Sequence, residues 1–259
     1  LNDNPTSGDP RASSRGAQHS LQLAIETTSR AGSVALFLKD RVLDSVSLDP
    51  SQRSAATLTT VIGSILEGVK SSGQSIDFVS VASGPGSFTG LRIGVTTAKS
   101  LCYALGIPLV SVDSLAAIAA ARFHADPELG EVLVALDAFR GQVFEGRFTR
   151  RMLLPSATSD LNDWSAIPDC VGVRSLSEFR SDLPTAVGSD NTPLALAGDA
   201  KPFGDAEDRR LEGTCDAIGV GILGNLAAAR GDFTDPMILV PRYLKASSAE
   251  EKAAEAPGT

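Results

Sequence analysis

Two well-separated stretches of the chain share one pattern. LAIETTSRAGSVALF, residues 23–37, and LVALDAFRGQVFEGRF, residues 133–148, both read as an apolar strand, a carboxylate at its end, a turn holding Arg and Gly, and a return strand. A chain that opens two regions with the same hairpin is expected to fold as two similar lobes. Each lobe would then carry an acid at its hairpin tip, Glu26 in the first and Asp137 in the second. The length of 259 residues suits one large domain or two small ones with a substantial core.

The periodicity fills in the α/β pattern. Leu21–Glu26, Ser33–Lys39 and 41–48 read as three successive antiparallel strands. Over 52–72 the apolar residues Leu58, Val61, Ile62, Ile65, Leu66 and Val69 recur at steps of three and four, one face of a helix. Gly63 and Gly68 lie inside it; each weakens a helix by roughly 1 kcal/mol against Ala, and each also lets another helix approach closely. A strand at Phe78–Ala82 leads into the glycine loop, and a helix is expected over Leu91–Leu105, stopped by Gly106 and Pro108. A strand at Pro108–Val112 precedes an Ala-rich helix at 115–123, for which Ser114 is the expected N-cap. Strands follow at Glu131–Asp137, Gln142–Phe148 and Leu194–Ala197, then a helix over Cys215–Arg230 and an extended, Pro-interrupted stretch from Asp235 to Leu244. Pro155, Pro168, Pro184 and Pro193 break any pattern over 150–193.

This order suggests a disordered tail at 1–20, a first lobe over 21–113 completed by the helix near 215–231, a second, smaller lobe over 114–214, an extended segment at 232–245 and a second tail at 246–259. Residues 1–20 lack the apolar core of a secretory signal, and no apolar stretch is long enough to span a bilayer, so a cytoplasmic location is expected. The three cysteines, Cys102, Cys170 and Cys215, form no CxxC and read as free thiols of a reducing compartment. His19 and His124 belong to no ligand cluster, so no metal site is expected. The net charge of −8 argues against broad phosphate binding to nucleic acid, which needs a basic stripe.

The loop SGPGSFTG, residues 83–90, sits between strand and helix, where α/β proteins often hold a phosphate on helix-start N–H groups. It is not a Walker A loop, because Leu91 and Arg92 follow Gly90 in place of Lys and Ser/Thr. It is not the dinucleotide fingerprint, because three residues separate Gly86 from Gly90. Nor is it a nucleophile elbow: Ser87 directly follows Gly86, and no His–Asp pair is evident to activate it. Two readings stay open, a ligand loop and a tight turn that lets the helix pack on the sheet. The hairpin acids are equally open. Glu26 with Thr27 and Thr28, echoed by Asp137, could hold a magnesium-bound nucleotide between the lobes, or each acid could bond the N–H groups of its own turn. Arg92, a cation early in its helix, opposes the dipole and calls for an offsetting group.

Three segments together, LAIETTSRAGSVAL, SGPGSFTGLRIGVTTAKSLCYALGIPLVSVDSLAAIA and VLVALDAFRGQVFEGRF, resemble the bacterial TsaB family, also called YeaZ; the closing PRYLK resembles its Pro-x-Tyr-Leu-Arg end. The resemblance runs over about 21–245. It implies a two-lobed fold of the actin, Hsp70 and sugar-kinase type, with duplicated ribonuclease H-like βββαβα topology. It implies work in making threonylcarbamoyladenosine next to the tRNA anticodon, as an activating scaffold with no catalytic residue of its own. The paralogue TsaD would carry the transferase activity, the metal and the ATP-like site; TsaE would join as ATPase; tRNA would be met only through the complex, and this chain would need no cofactor. Pairing through the helices of the first lobe places Leu58, Val61, Ile62, Gly63, Ile65, Gly90, Arg92, Gly94, Thr97 and Leu101 at the interface, a face that could also form a homodimer. On this view a large residue at Gly94 weakens pairing and leaves the monomer folded. Glu26, Thr27, Thr28, Gly84, Gly86, Ser87, Asp137 and Gly198 would be remnants of nucleotide loops, the fold's adenosine-binding Gly-Gly pair being reduced to Gly198-Asp199. Two departures from the family stand out: Arg53 and Ser54 near its usual histidine, and Glu26 in place of its usual aspartate. The rival readings are an independent ATP-using enzyme of the same fold and a peptidase, an old label for the wider family.

Overall fold

The computed structural model describes residues 20–245 except 30, 50, 52–54, 155–166, 168, 184–193, 205, 207–209 and 212–213. Residues 1–19 of the first tail, the whole of the second, Arg53, Ser54 and the four prolines at 155, 168, 184 and 193 therefore lie outside the described residues.

The first half runs β1 (Leu21–Glu26), β2 (Ser33–Leu38), β3 (Arg41–Ser47), α1 (Ala55–Ser71), β4 (Phe78–Gly84), α2 (Phe88–Leu105), β5 (Leu109–Asp113) and α3 (Ser114–Ala125). The second runs β6 (Glu131–Asp137), β7 (Gln142–Thr149), α4 (Arg150–Leu153), β8 (Val171–Ser175), α5 (Leu176–Asp182), β9 (Ala195–Gly198), α6 (Ala200–Phe203), β10 (Arg210–Leu211) and α7 (Ala217–Arg230). The described strands form two five-stranded sheets, ordered β3-β2-β1-β4-β5 and β10-β9-β6-β7-β8. Read from the other edge, the second repeats the first. β1 pairs antiparallel with β2 and parallel with β4, just as β6 pairs antiparallel with β7 and parallel with β9. The expected duplicated α/β architecture is thus present.

Every residue of β1 is buried, because its sheet is covered on both faces. Leu21, Leu23 and Ile25 pack with Leu58, Ile62, Ile65 and Val95 under α1 and α2. The alternate face, with Ala24, joins α3, α7 and the apolar residues of the second sheet in one continuous core. The layers are therefore α1/α2, first sheet, α3/α7, second sheet, and α5/α6, the last packed through Phe179 and Phe203 on Ala135, Val143 and Leu196. Three glycines let α7 enter the middle layer. A Cβ at Gly219 would strike the Ala117 carbonyl of α3, at Gly221 the Phe37 ring, and at Gly224 the buried Gln22–Ser80 pair.

Local chemistry moves several expected boundaries. α2 begins at Phe88, not Leu91, because the Ser87 hydroxyl accepts from the Gly90 amide and caps the helix; Phe88-Thr89-Gly90 is its first turn rather than loop. Asp113, not Ser114, caps α3, its carboxylate accepting from the Leu115 and Ala116 amides at 2.9 Å each. α7 starts at Ala217 behind an Asp216 cap, two residues later than expected. Thr234 bridges to Leu109, and the following residues lie along α2 as an irregular strap.

The interface set needs correction. Leu58, Ile62 and Ile65 are buried against the first sheet: the stripe with helical period is the core face of α1, not its outer face. Gly90 and Gly94 are buried on the inner side of α2. Val61, Gly63, Thr97 and Leu101 are half-buried, and Arg92 is exposed.

Candidate functional site

The glycine loop closes onto the first hairpin instead of leaving a cradle. The Ser87 amide donates to the Thr28 carbonyl at 3.1 Å, and the Thr27 hydroxyl donates to the Gly90 carbonyl at 2.7 Å. A Cβ on Gly86 would stand 2.5 Å from Thr28 Cβ, and one on Gly94 would strike Thr27 Oγ1. The amides of Ser87 and Gly90 are consumed internally, so two of the helix-start groups that would meet a phosphate are spent on the fold.

Glu26 is wholly buried. Its Oε1 accepts from the Thr28 amide, the Thr28 hydroxyl at 2.6 Å and the Ser29 amide at 2.7 Å; its Oε2 accepts from the Ser29 hydroxyl at 2.6 Å. Burial raises its pKa, and the bonds from Ser29 and Thr28 oppose that rise. The carboxylate is the internal strut of its turn. Asp137 Oδ1 accepts from the Phe139 amide at 3.0 Å, and Oδ2 pairs with Lys201 at 2.6 Å. Asp199 Oδ2 accepts from the Asp137 amide at 2.8 Å. Gly198, at φ +111, sits so close to the Ala135 carbonyl that no Cβ fits, which ties β9 to β6.

Ser87 serves as a helix cap. Burial pushes the Cys102 thiol up to about 12 and raises those of Cys170 and Cys215, so the three remain neutral thiols and poor nucleophiles. Among the described residues no three His, Cys, Asp or Glu side chains are grouped so as to hold a metal ion.

A second feature was only partly legible in the sequence. Most of the exposed large apolar side chains among the described residues line α2 and the strap: Tyr103 at 81%, Met237 at 74%, Ile238 at 73% and Val240 at 71% exposure, with Phe88 and Tyr243 at one end. Leu239 anchors the strap in the first-lobe core, and the Lys99 ammonium donates to the Leu239 carbonyl at 2.8 Å. Arg92 lies 4.1 Å over the Phe88 ring, and its Nε donates to the Tyr243 hydroxyl at 3.2 Å. Phe88 and Tyr243 stack with centroids 4.8 Å apart. The group offsetting Arg92 is thus an aromatic pair, and the helix face carries a firm apolar ridge. Its signal in the sequence was the short run Met237–Val240 between two prolines.

This geometry defines a duplicated ribonuclease H-like fold of the actin, Hsp70 and sugar-kinase type, with the glycine loop and the Glu26 turn folded inward. The comparisons refine that class. Residues 49–161 match the family model described as TsaD: tRNA N6-adenosine threonylcarbamoyltransferase. The chain is 33% identical over 147 residues to the tRNA threonylcarbamoyladenosine biosynthesis protein TsaB of Bacillus subtilis, covering 55% of this chain and 63% of that one. It is 32% identical over 128 residues to the Escherichia coli protein of the same name, covering 49% and 54%. The matched stretch is thus somewhat under two thirds of each of these relatives. A solved structure described as YeaZ from Pseudomonas aeruginosa superposes with a TM-score of 0.62 at 22% identity, over 87% of this chain and all of that one. A second, described as an uncharacterized protein with similarity to peptidase YEAZ from the same organism, gives 0.67 at 23% over the same shares. These matches support the TsaB, or YeaZ, family as the one this chain is similar to. No helix among its described residues is long and apolar enough to cross a membrane.

Proposed function

We propose that this chain is a non-catalytic activating scaffold in the making of threonylcarbamoyladenosine in tRNA, pairing with a TsaD transferase that a TsaE ATPase assists. The observation that carries the reading is the inward use of the Glu26 turn and of the glycine loop's Ser87 and Gly90 amides. Glu26 is saturated by its own turn, the Ser87 amide by the Thr28 carbonyl and the Gly90 amide by the Ser87 hydroxyl. ATP or ADP and the metal then belong to the partners, and tRNA is met through the complex.

The partner surface is the outer side of the first lobe: Gly63 and Gly68 of α1, where an added Cβ would meet nothing within 4 Å, and the apolar ridge of α2 and the strap. The match of residues 49–161 to the TsaD model supports pairing between paralogues, since that stretch spans α1 and α2. Two related faces can meet in a nearly two-fold arrangement, and the same face would serve a homodimer.

The test is reconstitution with the cognate TsaD and TsaE. Light scattering reads the mass of the complex, and tRNA threonylcarbamoylation is assayed with and without this chain. A heterodimer, with modification only when the chain is present, is the expected result. Absence of a complex together with ATP turnover by the chain alone would overturn it in favour of an independent ATP-using enzyme.

A further inference from the structure

β1, β4 and β5 run parallel in the first sheet, so their carboxyl ends lie on one side. In open α/β sheets that side is where ligands bind. In this chain four residues of the strap's end lie there. The Arg242 amide donates to the Ser83 carbonyl at 2.7 Å, and its Nη1 pairs with Asp113 Oδ2 at 2.8 Å. Asp113 is 7% exposed, so Arg242 meets a nearly buried carboxylate. Gly84, at φ +121, leaves room only for the Arg242 carbonyl, which would lie 2.6 Å from an added Cβ. Leu244 packs on the core shared by the two sheets. Lys245 Nζ then donates to the Ala138 carbonyl at 3.2 Å and reaches the Phe139 carbonyl at 3.5 Å, in the β6–β7 turn of the second lobe.

One short segment thus meets the ends of β4 and β5 in one lobe and the hairpin turn in the other. It engages main-chain carbonyls and a carboxylate on the side where open α/β sheets hold ligands. We propose that Arg242–Lys245 is an intramolecular plug, a built-in and detachable occupant of the ligand cleft between the lobes. Arg242 is its catch on the first lobe and Lys245 its catch on the second. Tyr243 belongs to both the segment and the ridge, but the two catches, Arg242 and Lys245, are held by Asp113 and the β6–β7 turn and not by α2, so the outcome of reconstitution with TsaD does not decide the plug.

Hydrogen exchange of the full chain tests this directly. In Arg242→Ala/Lys245→Ala, peptides covering 83–87, 113–116 and 137–141 should exchange faster by about 10-fold or more beyond any change in the peptides of α1 and β2, as for local opening. Lys245→Met alone should speed only the 137–141 peptide. Wild-type rates in all three peptides of the double variant would overturn the proposal. So would equal acceleration of the whole molecule, which would make the segment part of the global fold. Protection of the same peptides by millimolar magnesium-ADP that is no greater in the double variant than in the unaltered chain would overturn it too, since freeing both catches would then have opened no site.

Discussion

At Gly94 an added Cβ would collide with Thr27 Oγ1, whose hydroxyl is committed to the Gly90 carbonyl at 2.7 Å. Gly94→Ala is therefore expected to destabilise the monomer by about 1–3 kcal/mol through overpacking, read as a lower urea midpoint. This reverses the expectation that a larger residue there would spare the fold. Removing the obstacle in Thr27→Ala/Gly94→Ala should leave a loss smaller than the sum of the single losses, since the two sites share one contact. Glu26 shows the same inward economy. Glu26→Gln replaces one acceptor oxygen by a donor facing hydroxyl and amide donors. A loss of roughly 2–4 kcal/mol is expected from buried donors left unpaired, measurable by the same unfolding experiment. An acid at a strand end was legible in the sequence. Which way its oxygens faced was not, because that depends on Thr28 and Ser29 folding back over it.

At the scale of elements, the periodicity of 52–72 located α1, and its apolar stripe is the side that meets the sheet. A stripe of that kind first satisfies the chain's own core, so it cannot by itself mark a docking face. The outer side of the first lobe was hidden for a different reason. Met237, Ile238 and Val240 become a ridge only because Leu239 and Lys99 hold the strap against α2. Ile238→Asp and Tyr103→Asp, both at highly exposed positions, should leave the melting temperature within a degree or two. They should weaken pairing with TsaD by about 10-fold or more if the ridge lies at the core of the interface, as calorimetry would show. Gly63→Arg should act in the same direction, because a long side chain would hold off a neighbouring helix at a site now open.

Across the whole molecule, Arg242 and Asp113 link the strap's end to the start of the helix that lies between the sheets. Burial pushes the Asp113 carboxyl up to about 6, while the Ala116 amide, Arg242 and the Leu115 amide pull it down. Its ordinary value is 3.8, so the folded chain holds a proton there that the unfolded chain has released; this group's contribution to stability falls as pH rises from about 4 to 6. The Cys170 and Cys215 thiols, which feel its charge, are themselves raised by burial and stay neutral in that range. Arg242→Ala should therefore cost more at pH 7, where it strands a buried carboxylate, than at pH 5, where the carboxyl is largely protonated. Urea unfolding of variant and wild type at both pH values gives the comparison; an equal loss at the two would exclude a charge effect.

The chain's pattern alone determined the duplicated hairpins, the family resemblance and the helix and strand order outside 150–193 and 200–211, because these rest on local periodicity and short motifs; α4, β8, α5, α6 and β10 were not legible in it. Gly106 ending α2 and the Ser87-led start of the same helix belong to that local chemistry, even though the first turn was read as loop. The rest required the tertiary fold. Whether Gly84, Gly86 and Gly94 admit a ligand or a neighbouring chain segment depends on Thr27, Thr28 and Arg242, residues distant in sequence. The same holds for the core-facing stripe of α1, the strap on α2 and the segment spanning the cleft. Each is decided by which surfaces are already covered once the two sheets and α3 and α7 have packed, and periodicity carries no information about that order of claims.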